Sequence, residues 1–334
     1  MPAVIAWLTV FLTLTLPLSG PLALAGIFTV IVYASFGVMH QADALARALG
    51  EPFGTIILTL SIVVIEVAMV ASVLLGPGAH SSIARDTAIS SAMLILNVIL
   101  GLAIIVGTLR CGPLRVRRQA LMQYLVTLVG LGSLSFIFPL LFHDDGALRG
   151  VEAAIIGVVV LGLYATFMWR QLGARSTDFA EAKPALPSRE PVGSNVVWLI
   201  ATLTPIVFLS HAMGPLLNAV VSHTAIAGLI LAAVALLPET LTTLRAGWNG
   251  QTQRVSNLTH GALVSVFGAS IPSVLVIGAL TDQTITLGGN ASELGLLAAT
   301  LLLQSTALAC GRLTILHGAG HLLIFGVYAL LLTS

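Results

Sequence analysis

The stretch "SIVVIEVAMVASVLL" (residues 61–75) sets one acid, Glu66, in the middle of an apolar run. About 20 mostly apolar residues suffice for a helix to cross a bilayer. The surrounding run, 54–76, is that long, so Glu66 is expected in mid-membrane. A charged side chain there costs about 2.5–3.5 kcal/mol on insertion scales and normally faces the bundle interior, where it handles ions or protons. No Lys or Arg within the run can neutralise it.

The rest of the chain reads the same way. Of 334 residues, 57% are apolar and only 8% charged, with a mean hydropathy of +1.04. A soluble domain usually carries about 25% charged residues, so the chain reads as an all-α, polytopic membrane protein whose solvent is the lipid bilayer. A net charge of +1 gives no basic footprint for nucleic acid. Cys111 and Cys310 lie far apart without metal or redox spacing and read as free thiols. The first 20 residues lack the positive n-region of a signal peptide and read as a retained helix, although "ALAG" (23–26) resembles a cleavage site.

Eleven candidate spans follow: 3–19, 22–42, 54–76, 87–109, 119–142, 150–169, 196–215, 223–244, 255–280, 291–309 and 313–332. The one strongly polar interval, "RQLGARSTDFAEAKPALPSREPVGSN" (170–195), is a linker. The division is one extra helix (1–19), five helices (20–169), the linker (170–195) and five more (196–334). Putting the four arginines of "LRCGPLRVRR" (109–118) and the linker on the cytoplasmic side leaves only Arg85 and Arg149 outside, out of 14 Lys and Arg. The N-terminus is then cytoplasmic and the C-terminus outside. Five is an odd number, so the second half would insert upside down, as in many secondary transporters. The second helix of each half, "ILTLSIVVIEVAMVASVLL" (57–75) and "LILAAVALLPETLTTLRAG" (229–247), carries one central acid, Glu66 or Glu239. The other eleven acids sit at loops or helix ends.

An inverted repeat could bring Glu66 and Glu239 together at the midplane. Two adjacent carboxylates repel unless a cation or protons intervene. One divalent cation cancels both, and so do two protons, which is the logic of an antiporter. Hard oxygens suit Ca²⁺, so the two glutamates are the expected ligands of a transported Ca²⁺. Pro238 frees a backbone carbonyl one turn back as a further ligand. Thr59 shares the face of Glu66, seven residues on, and Thr243 follows Glu239 by four. Asn97 and Ser265 sit midway in the following helices. Each hydroxyl could equally bond back to its own helix, and each glutamate could be protonated and merely structural.

These residues resemble the bacterial calcium/proton antiporter branch of the calcium/cation antiporter superfamily, often called sodium/calcium–proton antiporters. The likeness is carried by "GEPFGTIILTLSIVVIEVAMVASVLL" (50–75), "ARDT" (84–87), "LLPETL" (236–241), "NLTHGALVSVFGASIPSVLVIG" (257–278) and "GRLTILHGAGHLLIFGVYAL" (311–330). The resemblance implies an extra first helix before two inverted five-helix repeats, and a midplane cation site with Glu66 and Glu239. It assigns the next polar positions to Asn97 and Ser265, and implies that helices 22–42 and 196–215 move to open the site alternately. It also implies a bacterial cell-membrane location. The family's usual Gly-Asn-Ala before each glutamate is replaced here by Ile62-Val63-Val64 and Ala235-Leu236-Leu237, which removes two side-chain amides.

Other features are more equivocal. His317 and His321 are spaced i, i+4 in a glycine-rich helix, where packing is the simpler reading and a proton relay the alternative. Glu51 precedes its helix as either a cap favoured by the dipole or an acid at the mouth of the pathway. In "GGNASE" (288–293), Ser292 is placed near a helix cap. The expected function is alternating-access export of Ca²⁺ in exchange for H⁺. The alternatives are Na⁺ or K⁺ exchange at the same site, an intramembrane enzyme, or a non-transporting scaffold. No Glu-Glu-x-x-x-Arg, His-Glu-x-x-His or paired-aspartate motif supports an enzyme. No nucleotide motif is present, so an ion gradient is the expected driving force, without cofactor or nucleotide. Oligomeric state is open.

Overall fold

A computed structural model describes residues 1–16, 19–49, 53–76, 80–173, 175–180, 192–221 and 223–333. Glu51 and most of the linker lie outside the described residues, and so do the side chains of Thr59 and Pro238. Among the described residues, eleven helices of at least fourteen residues follow one another. They are α1 (Pro2–Thr15), α2 (Gly20–Leu49), α3 (Phe53–Leu74), α4 (Ile83–Cys111), α5 (Arg118–Phe142), α6 (Gly150–Leu172), α7 (Val192–Val220), α8 (Thr224–Trp248), α9 (Thr252–Leu280), α10 (Ala291–Cys310) and α11 (Ile315–Leu331). Seven of them are long and apolar enough to span a membrane, and α8 makes an eighth if its two arms count as one span. Three shorter apolar helices, Pro2–Thr15, Val63–Leu74 and Ile315–Leu331, would bring the count to the expected eleven. The protein is an all-α polytopic membrane protein.

Local chemistry explains where these helices deviate. α8 bends by 56° between Leu237 and Glu239, at the position of a proline. Proline has no N–H to continue the helical ladder, so a helix bends where one occurs. α5 and α9 each contain a π-helical segment, Ser133–Ile137 and Val266–Ser270. Both lie immediately upstream of a proline, Pro139 and Pro272, and in α5 the Phe138 amide reaches back five residues to Ser133. The missing proline donor lets the ladder slip by one residue. α4 has a longer π-helical segment, Met93–Ile99, with no proline to account for it.

Packing pairs the two halves of the chain with each other. α2 lies along α7, α3 against α9, and α8 against α4. The fifth helix of each half, α6 or α11, packs on the third helix of the other, α9 or α4. Two short antiparallel ladders repeat the pattern. β1 (Leu114–Arg115) pairs with β4 (Arg312–Leu313), and β2 (Ala147–Leu148) with β3 (Ile285–Thr286). Each ladder joins a loop after a third helix to a loop after a fourth helix of the other half. α10 opens with a capping box in which Asn290 accepts from the Glu293 amide and Glu293 accepts from the Asn290 amide. Asn290 is therefore the cap itself, with Ser292 near it in the first turn. It is the polar group two residues earlier whose geometry suits the N3 amide. The linker's one-turn helix Ser176–Phe179 is tied down by Phe179, which is buried against Tyr124 and Phe167.

Candidate ion-binding site

Glu66 is buried in α3 and accepts two hydrogen bonds. Ser91 Oγ of α4 reaches Oε1 at 2.9 Å, and Ser270 Oγ of α9 reaches Oε2 at 2.9 Å. Ser270 closes the π-helical segment of α9, so the slip forced by Pro272 helps to set its direction. Hydrogen bonds to a charged group are worth about 1.5–3 kcal/mol each, enough to offset much of the cost of placing this carboxylate in mid-membrane.

Glu239 lies beyond the bend of α8, equally buried, within electrostatic reach of Glu66. Among the described residues, neither of its carboxylate oxygens has a hydrogen-bond partner. Thr243, one turn further along α8, is buried and its hydroxyl likewise has no partner among the described residues, its own helix included. Buried polar groups are nearly always satisfied, and an exception asks for an explanation such as a missing ion. Among the described residues no third His, Cys, Asp or Glu joins the two glutamates in a metal-binding group. A cation held here would draw its other oxygens from hydroxyls, carbonyls, amides or water.

The other expected positions are placed as follows. Asn97 lies in the π-helical segment of α4. Its Nδ2 donates to Thr300 Oγ1 at 2.9 Å, and its Oδ1 stands 2.9 Å from His321 Nδ1. His321 Nε2 meets Gln304 Nε2 at 3.0 Å. His321 thus ties α11 to α4 and α10 through hydrogen bonds, while His317 closes the capping box at the start of α11. Ser265 stands 3.3 Å from Tyr164 Oη of α6, away from either glutamate's hydrogen bonds. Glu51 and the side chain of Thr59 lie outside the described residues.

The sequence reading passed over Ser91 and Ser270, because serines are common in apolar helices and usually bond their own backbone. It also passed over two tyrosines. Tyr164 of α6 bonds Ser265 of α9, and Tyr328 of α11 bonds Ser90 of α4 at 2.7 Å. These are counterparts in the two halves, and a signal was present: "GLYA" (162–165) and "GVYA" (326–329). A glycine lets the first contact close, since a Cβ on Gly268 would stand 2.5 Å from the Tyr164 ring.

The sequence profile of sodium/calcium exchanger proteins matches residues 19–173 and 194–334. The chain belongs to the sodium/calcium exchanger protein family. It is therefore a secondary transporter rather than an enzyme, with transported ions as substrates and no cofactor. It is 31% identical to the putative ionic transporter y4hA of Sinorhizobium fredii over 92% of this chain and 86% of that protein. Its identity to the sodium-potassium/proton antiporter ChaA of Escherichia coli is 27% over the same shares. Among solved structures, native YfkE superposes with a TM-score of 0.72 at 14% identity, covering 99% of this chain and 95% of that one. The H⁺/Ca²⁺ exchanger CAX superposes at 0.71 and 17%, covering 98% and 86%. At these identities both likenesses speak to the fold alone. The protein is an integral membrane protein with bacterial relatives.

Proposed function

We propose that this exchanger is a cation/proton antiporter in which Glu66 and Glu239 hold either the cation or protons, and that Ca²⁺ is exported against H⁺ by alternating access. The observation that carries this reading is the buried pair itself. Among the described residues one carboxylate has two hydroxyl donors and the other has none, so Glu239 and Thr243 are the buried groups that a cation or a proton would satisfy. Ca²⁺ entering from the cytoplasm displaces protons from the glutamates, and reprotonation from outside releases it. An outside-acid gradient then drives export.

A second reading, Na⁺ or K⁺ exchange at the same oxygens, is favoured by two observations. The side chains at 63–64 and 235–237 are apolar where amides would raise the ligand count for Ca²⁺. ChaA, a sodium-potassium/proton antiporter, is also among the relatives. The test is purified protein in liposomes with a pH-sensitive dye inside. Acid-loaded liposomes should lose protons when Ca²⁺ is added outside. Proton loss with Na⁺ or K⁺ alone transfers the assignment to the second reading, and none with any cation overturns both.

We further propose one extra helix before two inverted five-helix repeats, 20–169 and 196–334, joined by the cytoplasmic linker. The reciprocal packing of α6 and α11, the two crossed ladders and the break in the family match at the linker support it. The N-terminus is cytoplasmic, the C-terminus outside, and the membrane is the bacterial cell membrane. Cys111 and Cys310 are exposed free thiols beside β1 and β4. A membrane-impermeant maleimide should label both in everted vesicles and neither in intact cells; the opposite pattern reverses the orientation.

A further inference from the structure

His260 lies about two turns into α9, is buried, and takes no part in the exchange reading. Its ring stacks on Tyr124 of α5, and its Nδ1 stands 3.0 Å from the Ser256 carbonyl oxygen of its own helix. A carbonyl only accepts, so Nδ1 carries the ring proton and Nε2 is a bare acceptor. Among the described residues Nε2 has no partner. Gln304 of α10, also buried, stands within electrostatic reach of the ring, and its polarity is set from elsewhere. Asn97 Nδ2 donates to Thr300, so the Asn97 oxygen is what faces His321. An amide oxygen only accepts, so His321 Nδ1 holds a proton and its Nε2 accepts from Gln304 Nε2 at 3.0 Å. With its nitrogen turned to His321, Gln304 has an oxygen to offer His260. Two acceptors then meet, and neither can donate.

His260 and Gln304 also line one cavity of about 20 Å³, room for a single water. Val116, Arg117, Thr252 and Gln253 line both this cavity and an open vestibule of about 540 Å³ beside the arginine loop. Among the described residues no Asp or Glu lines either space. The titratable and charged groups that face His260 are Tyr124 of α5, Arg117 at its start, and His321 of α11. α4 and β4 present Leu100 and Leu313.

We propose that His260 Nε2 is a proton-binding site reached from the arginine-lined vestibule: a water serves it while the ring is neutral, and on acidification a proton binds there, is donated in a hydrogen bond to Gln304 Oε1, and slows exchange. The proton comes from vestibule water and returns to it, so the site stores a charge and passes none across the membrane. In the proposed orientation the vestibule is cytoplasmic, and the site reads cytoplasmic pH. No carboxylate offsets the imidazolium. Its charge opposes a second cation entering the same low-dielectric interior, so the KM for the transported cation rises. The effect on flux rests on the exchange reading above; the proton site does not.

The direct test is nitrogen NMR of the full chain in detergent with isotope-labelled histidines, the signal lost in His260→Gln identifying His260. His260→Asn serves if His260→Gln does not fold. The neutral ring should show the Nδ1–H tautomer and gain its second proton at Nε2 as the pH falls. Gln304→Leu takes the acceptor from a charged donor and should move that titration about one unit toward acid, and Gln304→Glu about one unit or more the other way. In liposomes with equal pH on both sides, acidification should raise the wild-type KM through the glutamates and His260 together. The rise should be about fivefold smaller in His260→Gln, and in Gln304→Glu the His260 part of it should begin at higher pH. An Nε2–H tautomer, a titration unmoved by both Gln304 variants, or the same KM profile in His260→Gln as in wild type overturns the inference and leaves the exchange reading in place. Wild-type protein without flux for any cation overturns the exchange reading and the effect on flux, while the NMR titration still decides the proton site.

Discussion

Glu66 and Glu239 occupy matching places in the two halves, at the same depth of burial, yet their surroundings differ. Glu66 is met by a serine from each half of the chain, Ser91 and Ser270. Glu239 stands beyond a 56° bend with an unpartnered threonine one turn away. The two second helices differ in backbone course and in the hydrogen bonds that meet their acids. In a low-dielectric interior an unserved polar group is costly, so the side left open is the side that gains most from an ion or a proton. On the exchange reading proposed above, Glu66 is the anchor of the site and Glu239 the group that receives the ion or proton.

The comparison can be broken at its two acids first. Glu66→Gln and Glu239→Gln should each reduce cation-driven proton flux by about 100-fold or more, since neither amide can exchange a proton for a cation. Retention of flux in either variant would remove that residue from the site. A smaller effect is expected at the serines. Ser91→Ala and Ser270→Ala each take one donor from a charged acceptor, about 1.5–3 kcal/mol, and should raise the KM for the cation about tenfold. If the two variants differ widely, one serine serves Glu66 and the other only packs.

The tyrosine pairs probe the symmetry rather than the site. Tyr164→Phe and Tyr328→Phe each remove one interhelical hydrogen bond, worth about 1 kcal/mol. Both should lower the thermal midpoint in detergent by a few degrees and by similar amounts. Unequal losses would argue against their being counterparts. The smallest effect on stability is expected at Thr243. Its hydroxyl has no partner to lose, so Thr243→Val should leave the cation-free midpoint unchanged or slightly raised, while raising the KM for the cation. A clear loss of stability without cation would show that the hydroxyl is already engaged.

The fold was legible in the sequence because its strongest signals are compositional. Apolar runs of spanning length, one polar linker and two isolated mid-membrane acids follow directly from the cost of polarity in lipid, and among the described residues seven to eight of the runs are helices long and apolar enough to span a membrane. Asn97 and Ser265 were singled out for their depth in the chain, but depth does not tell which way a side chain faces. The π-helical slips in α4 and α9 turn the helices so that Ser91 and Ser270 face Glu66, while Asn97 and Ser265 bond elsewhere. A single extra residue per turn is invisible to an averaged period. The Pro272 that accompanies one slip was visible as a residue and not as a cause. The tyrosine motif was short enough to pass for chance until two contacts made it a pair.

The most direct measurement is proton release from purified, unbuffered protein on addition of Ca²⁺, Na⁺ or K⁺, for wild type, Glu66→Gln and Glu239→Gln. If the same oxygens hold the cation or the proton, wild type releases protons as the cation binds, and Glu239→Gln loses both binding and release. Cation binding by wild type with no proton released, or unchanged release from Glu239→Gln, would contradict a shared two-glutamate site.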